Sequence, residues 1–192
     1  MTAKLLFFAG SARKDSVNKK LVKTASDIAQ SMGATVTYVD LADYDMPIFS
    51  EDIESENGLP ENAKKLKQLF IEHDGFCIAC PDYNSSFSPL LKNTLDWVSR
   101  REEADSGSLV AYKDKTCALM AASPGGLGGL RGLRDTRDML SSIGVFVIPN
   151  QLAVGGAYGK FDEAGNVTDD SEKEKITAVV EALVKTTNAL KN

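Results

Sequence analysis

Five short apolar runs punctuate the chain: Leu5 to Ala9, Val36 to Val39, Phe76 to Cys80, Cys117 to Ala121 and Val145 to Ile148. Each has the length of a strand, and most are continuously apolar, the pattern of strands covered on both faces. Between them apolar residues recur at helical spacing. Val17, Leu21, Ala25, Ile28 and Met32 form one stripe, Ala63, Leu66, Leu69 and Phe70 a second, and Leu91, Thr94, Leu95 and Val98 a third. Leu130, Leu133, Leu140 and Ile143 make the fourth, and Ile176, Val179, Val180, Leu183 and Leu190 the last. Stripes of this kind face a core. Strands alternating with helices predict an α/β fold, a five-stranded parallel sheet with helices on both faces and right-handed crossovers. For a chain of 192 residues the natural order is 2-1-3-4-5, in three layers and one domain over residues 1–192.

Two stretches break the rhythm. Residues 40–59 run without clear periodicity, yet Tyr44, Met46, Pro47, Ile48 and Phe49 make them too apolar to float free. Such a segment should pack on a neighbouring subunit or on the rim of a pocket. Residues 149–171 are also irregular, with Gly155-Gly-Ala-Tyr158 and a turn signal at Ala164-Gly-Asn166 ahead of the final helix.

Charge narrows the partners. A net charge of −5 and a pI near 5.0 leave no basic field for nucleic acid or an anionic membrane surface, so an anionic ligand must be held by local donors. The apolar run ending at Gly10 is too short for a signal-peptide core or a membrane span, which predicts a cytoplasmic protein. Cys77, Cys80 and Cys117 all lie in apolar runs and read as reduced, buried thiols. Cys77-Ile-Ala-Cys80 spells a C-x-x-C pair, but residues three apart in a strand point to opposite faces, which argues against a redox or metal site. His73, the one histidine, falls at the end of the second helix, where it caps or packs. No side chain is expected to act as a catalytic acid or base.

The candidate chemistry lies in three loops that follow strands one, three and four. In a doubly wound sheet, ligands bind beyond the carboxyl ends of the strands at the switch point, where these loops would meet. The first is GSARKDSVNKKL, residues 10–21. Gly10 permits a sharp strand exit. Ser11, Ser16 and Asn18 sit beside the unpaired N–H groups of a helix start, and with Arg13 they suit a phosphate. Ser16 could equally be a plain N-cap. In the second loop, Pro81-Asp-Tyr-Asn-Ser-Ser-Phe-Ser-Pro89, an aromatic, an amide and several hydroxyls could flank a flat heterocycle. Asp82 and Ser88 could equally be turn and capping residues, Tyr83 a rim aromatic, and Trp97 core or interface packing. The third loop, Ser123-Pro-Gly-Gly-Leu-Gly-Gly-Leu-Arg131, offers glycines for close backbone approach and the hydroxyl of Ser123, or is simply a flexible crossover.

These stretches together resemble the NAD(P)H-dependent FMN reductases, the flavodoxin-like group that includes quinone, azo-dye and chromate reductases. GSARKDSVN is similar to their GSxRxxSxN phosphate loop, residues 81–100 to their PEYNxSxPxxLKNxxDWxSR stretch, and residues 123–131 to their SPGxxGGxR segment. Two positions depart from the pattern: Asp82 stands where Glu is usual, and Ser88-Pro89 replaces a frequent Pro-Gly or Pro-Pro. The resemblance implies a flavodoxin-like fold and non-covalent FMN. Its phosphate would lie on Ser11, Arg13, Ser16, Val17 and Asn18. Its ring would lie by Pro81, Asp82, Tyr83, Asn84, Ser123, Gly125 and Gly126. It further implies NADH or NADPH as hydride donor, quinones or other small acceptors, and a homodimer or homotetramer. The chief alternative is a flavodoxin-type electron carrier without nicotinamide activity, although a Thr-rich uncharged loop would suit that better than Arg13. A flavin-free regulatory or scaffolding protein is a second alternative.

Overall fold

The computed structural model describes residues 2–191. Five strands, β1 (Lys4–Ala9), β2 (Thr35–Val39), β3 (Gly75–Ala79), β4 (Thr116–Ala122) and β5 (Phe146–Val154), pair in parallel in the order β2-β1-β3-β4-β5, as the alternating pattern predicts. The helices are α1 (Val17–Ser31), α2 (Glu51–Asn57), α3 (Glu61–Glu72), α4 (Pro89–Ser99), α5 (Leu130–Ser142) and α6 (Asp170–Leu190).

Alternation along β1 sorts its side chains into two cores. Leu5 and Phe7 join Cys77, Ala118 and Met120 under α1 and α6, where Leu21, Ala25, Val180 and Leu183 are buried. Leu6 and Phe8 join Phe76, Ile78 and Cys80 under α3, α4 and α5, with Phe70, Leu95 and Leu133. The two cysteines of the C-x-x-C string therefore face opposite layers, as strand spacing requires. Burial pushes Cys80 up to about 12 and Cys77 and Cys117 far above the ordinary thiol value, so all three stay protonated.

The structure differs from the sequence reading in two places. The 40–59 segment is not free of the domain: it contains α2 and lies against α4 of the same chain. Pro47 O accepts from Trp97 Nε1 (2.7 Å) and Asn93 Nδ2 (3.0 Å), and Asn93 Oδ1 accepts from the Phe49 N–H (2.8 Å). The Phe49 ring meets Trp97 edge-on at 5.0 Å and carries the Arg100 guanidinium 5.0 Å above its centroid, while Glu54 of α2 takes Arg100 Nε through both oxygens. With four acidic residues and no buried one, α2 has no amphipathic stripe to betray it. β5 extends six residues beyond the predicted run. Pro149 demotes a strand pattern, but β5 is an edge strand, where proline is tolerated. Between Cys117↔Val147 and Leu119↔Gln151 the strand advances by four residues against two on β4, and Arg137 Nη1 donates to Val147 O at this bulge (3.1 Å).

Lys67 of α3 is 2% exposed and donates to Arg100 O (2.8 Å) and to the carboxylate of Asp105, tying down the chain after α4. Burial alone would raise the Asp105 carboxyl, but the Lys67 ammonium and the Glu102 N–H outweigh it and hold it below its usual value. Lys67→Met should therefore lower stability by about 1–3 kcal/mol, read as the urea midpoint, because it removes the buried ammonium that Arg100 O and the partly buried Asp105 carboxylate both accept from. A depressed carboxyl contributes fully above about pH 4, the unfolded range, and its contribution disappears as pH falls through the folded value. The midpoint of the parent protein should consequently fall on acidification below pH 4 more steeply than that of the variant.

Candidate functional site

The three unusual loops leave the carboxyl ends of β1, β3 and β4 on one edge of the sheet, and they are bonded to each other. Ser88 Oγ donates to Gly10 O (2.5 Å) and accepts from the Leu91 N–H (3.1 Å), capping α4. A Cβ on Gly10 would stand 2.9 Å from Leu91 Cβ, so it is the approach of α4, rather than a sharp exit from β1, that calls for glycine here. Asp82 joins the second loop to the third: Oδ1 accepts from the Ser85 N–H (2.8 Å) and Oδ2 from the Gly132 N–H in α5 (3.1 Å). The shorter carboxylate thus has both oxygens engaged in the scaffold.

Asn18 supplies the third tie. Its Nδ2 donates to Ala122 O and its Oδ1 accepts from the Ala122 N–H, both at 2.9 Å. This tie uses one of the two Nδ2 hydrogens of Asn18, and its other side-chain N–H and its main-chain N–H are left without a protein acceptor among the described residues.

Ser16 occupies the N-cap position of α1 with extended backbone (φ −69°, ψ 124°), but its hydroxyl makes no capping bond and has no other protein partner among the described residues, although it is only 3% exposed. The N–H groups of Val17 and Asn18 likewise meet no protein acceptor among the described residues. Ser11, 6% exposed, accepts from the Arg13 N–H (3.3 Å), and the Arg13 side chain extends into solvent. Two hydroxyls and unpaired N–H groups thus lie at the positive end of a helix dipole, with the exposed Arg13 guanidinium carried on the same loop. That set suits a phosphate dianion.

The second loop exposes its ring and amide by a tight turn. Tyr83 and Ser86 exchange backbone bonds (2.9 and 3.2 Å), and Asn84 (φ 55°) and Ser85 (φ 70°) are both left-handed, the geometry of a type I′ turn. Asn tolerates this conformation, whereas at Ser85 it carries strain of the kind that clusters at functional sites. Tyr83 and Asn84 stand exposed, while Pro81 is buried at the strand exit.

In the third loop Ser123 is held between Val154 O and the Ala157 N–H, both 3.1 Å away, and its Oγ accepts from the Gly125 N–H (3.3 Å). Gly128 (φ 61°) presses backbone to backbone on Val154 and Gly155, and a Cβ there would lie 2.6 Å from Val154 C. Gly125 and Gly126 remain exposed. Beyond Asn84, Ser85 and Ser86 opens a cleft of about 680 Å³, lined also by Leu130, Arg131, Arg134, Asp135 and Gln151. It lies on the α5 side of the Tyr83 turn rather than over Ser16. Arg134 and Gln151 carried no signal in the sequence, because only the β5 extension brings Gln151 beside α5. His73 is remote from all of this, bonded through Nδ1 to Leu69 O (2.6 Å) and through Nε2 to Thr37 Oγ1 (2.8 Å).

Comparison with known proteins points the same way. Residues 3–159 match the family model described as NADPH-dependent FMN reductase. An NAD(P)H:quinone oxidoreductase of Solanum tuberosum is 30% identical over 189 residues, covering 94% of this chain and 90% of that one. A 2-hydroxy-1,4-benzoquinone reductase of a Burkholderia species is 38% identical, over 52% of each chain. In three dimensions the chain is similar to a flavoenzyme NAD(P)H:(acceptor) oxidoreductase of Paracoccus denitrificans, with a TM-score of 0.82, 24% identity, and 97% and 98% of the two chains covered.

The Asn18 tie is directly testable. Asn18→Ala leaves the N–H and C=O of Ala122, itself 3% exposed, without partners. Each orphaned group costs about 1–3 kcal/mol, so the urea midpoint should fall by the equivalent of roughly 2 kcal/mol or more.

Proposed function

This chain belongs to the NADPH-dependent FMN reductase family, and from that premise we propose that its first loop holds the FMN phosphate while the second and third flank the ring. It is an NAD(P)H-dependent oxidoreductase whose acceptors are small molecules. What FMN supplies when bound is a two-electron relay between a nicotinamide and an acceptor.

The observation that carries the placement is the Ser16 hydroxyl, nearly buried, at a cap position, and without a capping bond. Its oxygen remains open to solvent rather than sealed in the core, and a phosphate oxygen would accept from it together with the N–H groups of Val17 and Asn18. Ser11 and Arg13 complete the cup, Arg13 adding a charge-assisted contact. Tyr83 offers an exposed face, Asn84 an amide, and Ser123 with Gly125 and Gly126 a close-approaching backbone for the ring. Asp82 and the Asn18 side chain serve by holding these loops in register.

Quinones are the acceptor class we assign, the substrate named for the Solanum relative. Nicotinamide-dependent relatives support this reading over a flavodoxin-type carrier. Assembly into a homodimer or homotetramer belongs to the same proposal, supported by the exposed side chains of Tyr83, Leu127 and Leu130 at the rim of the site. A cytoplasmic location accords with three buried free thiols, and no helix among the described residues is long and apolar enough to cross a membrane.

Ser16→Ala separates phosphate binding from simple capping. With no cap bond to lose, its urea midpoint should match the parent, where loss of a true N-cap would cost about 1 kcal/mol. Its Kd for FMN, and that of Arg13→Ala, should rise about tenfold or more. Unchanged FMN affinity in both, with unaltered circular dichroism, would remove the phosphate from this loop. In the FMN-loaded parent under anaerobic conditions, NADPH or NADH should bleach the flavin band; a flavin that stays oxidised with both would indicate the carrier instead.

A further inference from the structure

We infer that the cleft beside the Tyr83–Ser86 turn takes the phosphate-bearing part of the nicotinamide dinucleotide, with Arg131 and Arg134 as its anion-binding residues. The inference rests on the reading of the three loops as a flavin site reduced by NAD(P)H. Position comes first: Asn84 belongs both to the proposed ring platform and to the wall of the cleft. A dinucleotide presenting its nicotinamide to the ring could run directly into this space, and about 680 Å³ is ample for a small-molecule ligand.

The charges on α5 make the stronger case. Arg131 and Arg134 are the second and fifth residues of the helix, the end where unpaired N–H groups disfavour cations. Asp135 and Asp138 stand four residues on from each, at the spacing of a helical ion pair. Neither pair forms: among the described residues Arg131 reaches only Ser85 Oγ, at 3.4 Å, and Arg134 reaches no partner. In a chain of net charge −5, two exposed guanidiniums without a carboxylate partner within ion-pair distance thus stand on the wall of one cleft. An incoming anion would find both guanidiniums available, and their planar geometry suits phosphate oxygens.

Two further groups fit a nucleotide. Gln151 Oε1 accepts from Arg137 Nη2 (2.9 Å), which leaves its amide N–H groups to donate into the cleft. The carboxylate of Asp135 on the same wall can accept from a ribose hydroxyl. A flat quinone would use none of these.

The test uses FMN-loaded protein. Anaerobic stopped-flow reduction is measured with NADPH, with NADH and with N-benzyl-1,4-dihydronicotinamide, which carries no phosphate, and calorimetry measures NADP⁺ and NAD⁺ binding. Arg131→Ala and Arg134→Ala should each raise the Kd of at least one dinucleotide about tenfold or more in both experiments. FMN content and reduction by the benzyl compound should not change. Weakening confined to the NADP forms assigns the 2′-phosphate to the arginines, and equal weakening of both assigns the pyrophosphate. Unchanged dinucleotide Kd values, or an equal loss with the benzyl compound, would overturn the inference. A parent flavin that no nicotinamide reduces would instead overturn the reductase reading, and this inference with it.

Discussion

The paired hydrogen bonds between the Asn18 amide and the backbone of Ala122 hold the functional edge of the sheet in place. β3 pairs with β4 only as far as the bond from the Cys80 N–H to Met120 O, because the chain turns away at Pro81. β4 continues to Ala122, whose N–H and C=O face the side that β3 has vacated. Buried peptide groups must be paired, and a carboxamide, with one donor and one acceptor side by side, replaces the missing strand. The first turn of α1 is thereby pinned to the end of β4. Ser16 and the free N–H groups lie in that same turn, so a structural bond sets the position of the proposed phosphate cup relative to Ser123.

Comparable ties repeat around the edge. Ser88 clamps Gly10 to the start of α4, and Asp82 clamps the Tyr83 turn to α5. Each uses a short side chain to satisfy a backbone group at a strand exit or a helix entry. The loops are therefore held at both ends, and the strained conformation at Ser85 persists because its N–H is fixed by Asp82. Ring-facing groups on such a frame need little rearrangement on binding, which lowers the entropy lost when a cofactor is captured.

Conserving a motif's spelling does not make all its residues ligand contacts. Within residues 81–100, Tyr83 and Asn84 face outward, whereas Asn93, Trp97 and Arg100 hold the segment from Pro47 to Glu54 through hydrogen bonds, an aromatic edge and a bidentate ion pair. That segment covers α4 on its outer side, so a helix that would otherwise expose an indole has none of it exposed. The motif therefore combines a binding turn with the docking face of a long connection.

The five strands, their order and the two-faced core were legible in the sequence because apolar periodicity is local and burial on both faces leaves uninterrupted runs. The three loops were legible as a group for the same reason: strand order alone carries them to one edge. Helix α2 and the far half of β5 were not, since an exposed acidic helix has no apolar stripe and Pro149 suppresses a strand signal that an edge position permits. Nor could sequence apportion roles among Ser11, Ser16, Asn18 and Asp82, which all read as polar groups near a helix start. Only the tertiary structure decided that Asn18 and Asp82 bond the scaffold while Ser16 stays unpaired, and that Arg134 and Gln151 line one cleft. Such pairings depend on contacts between residues far apart in the chain, whose geometry no local pattern encodes.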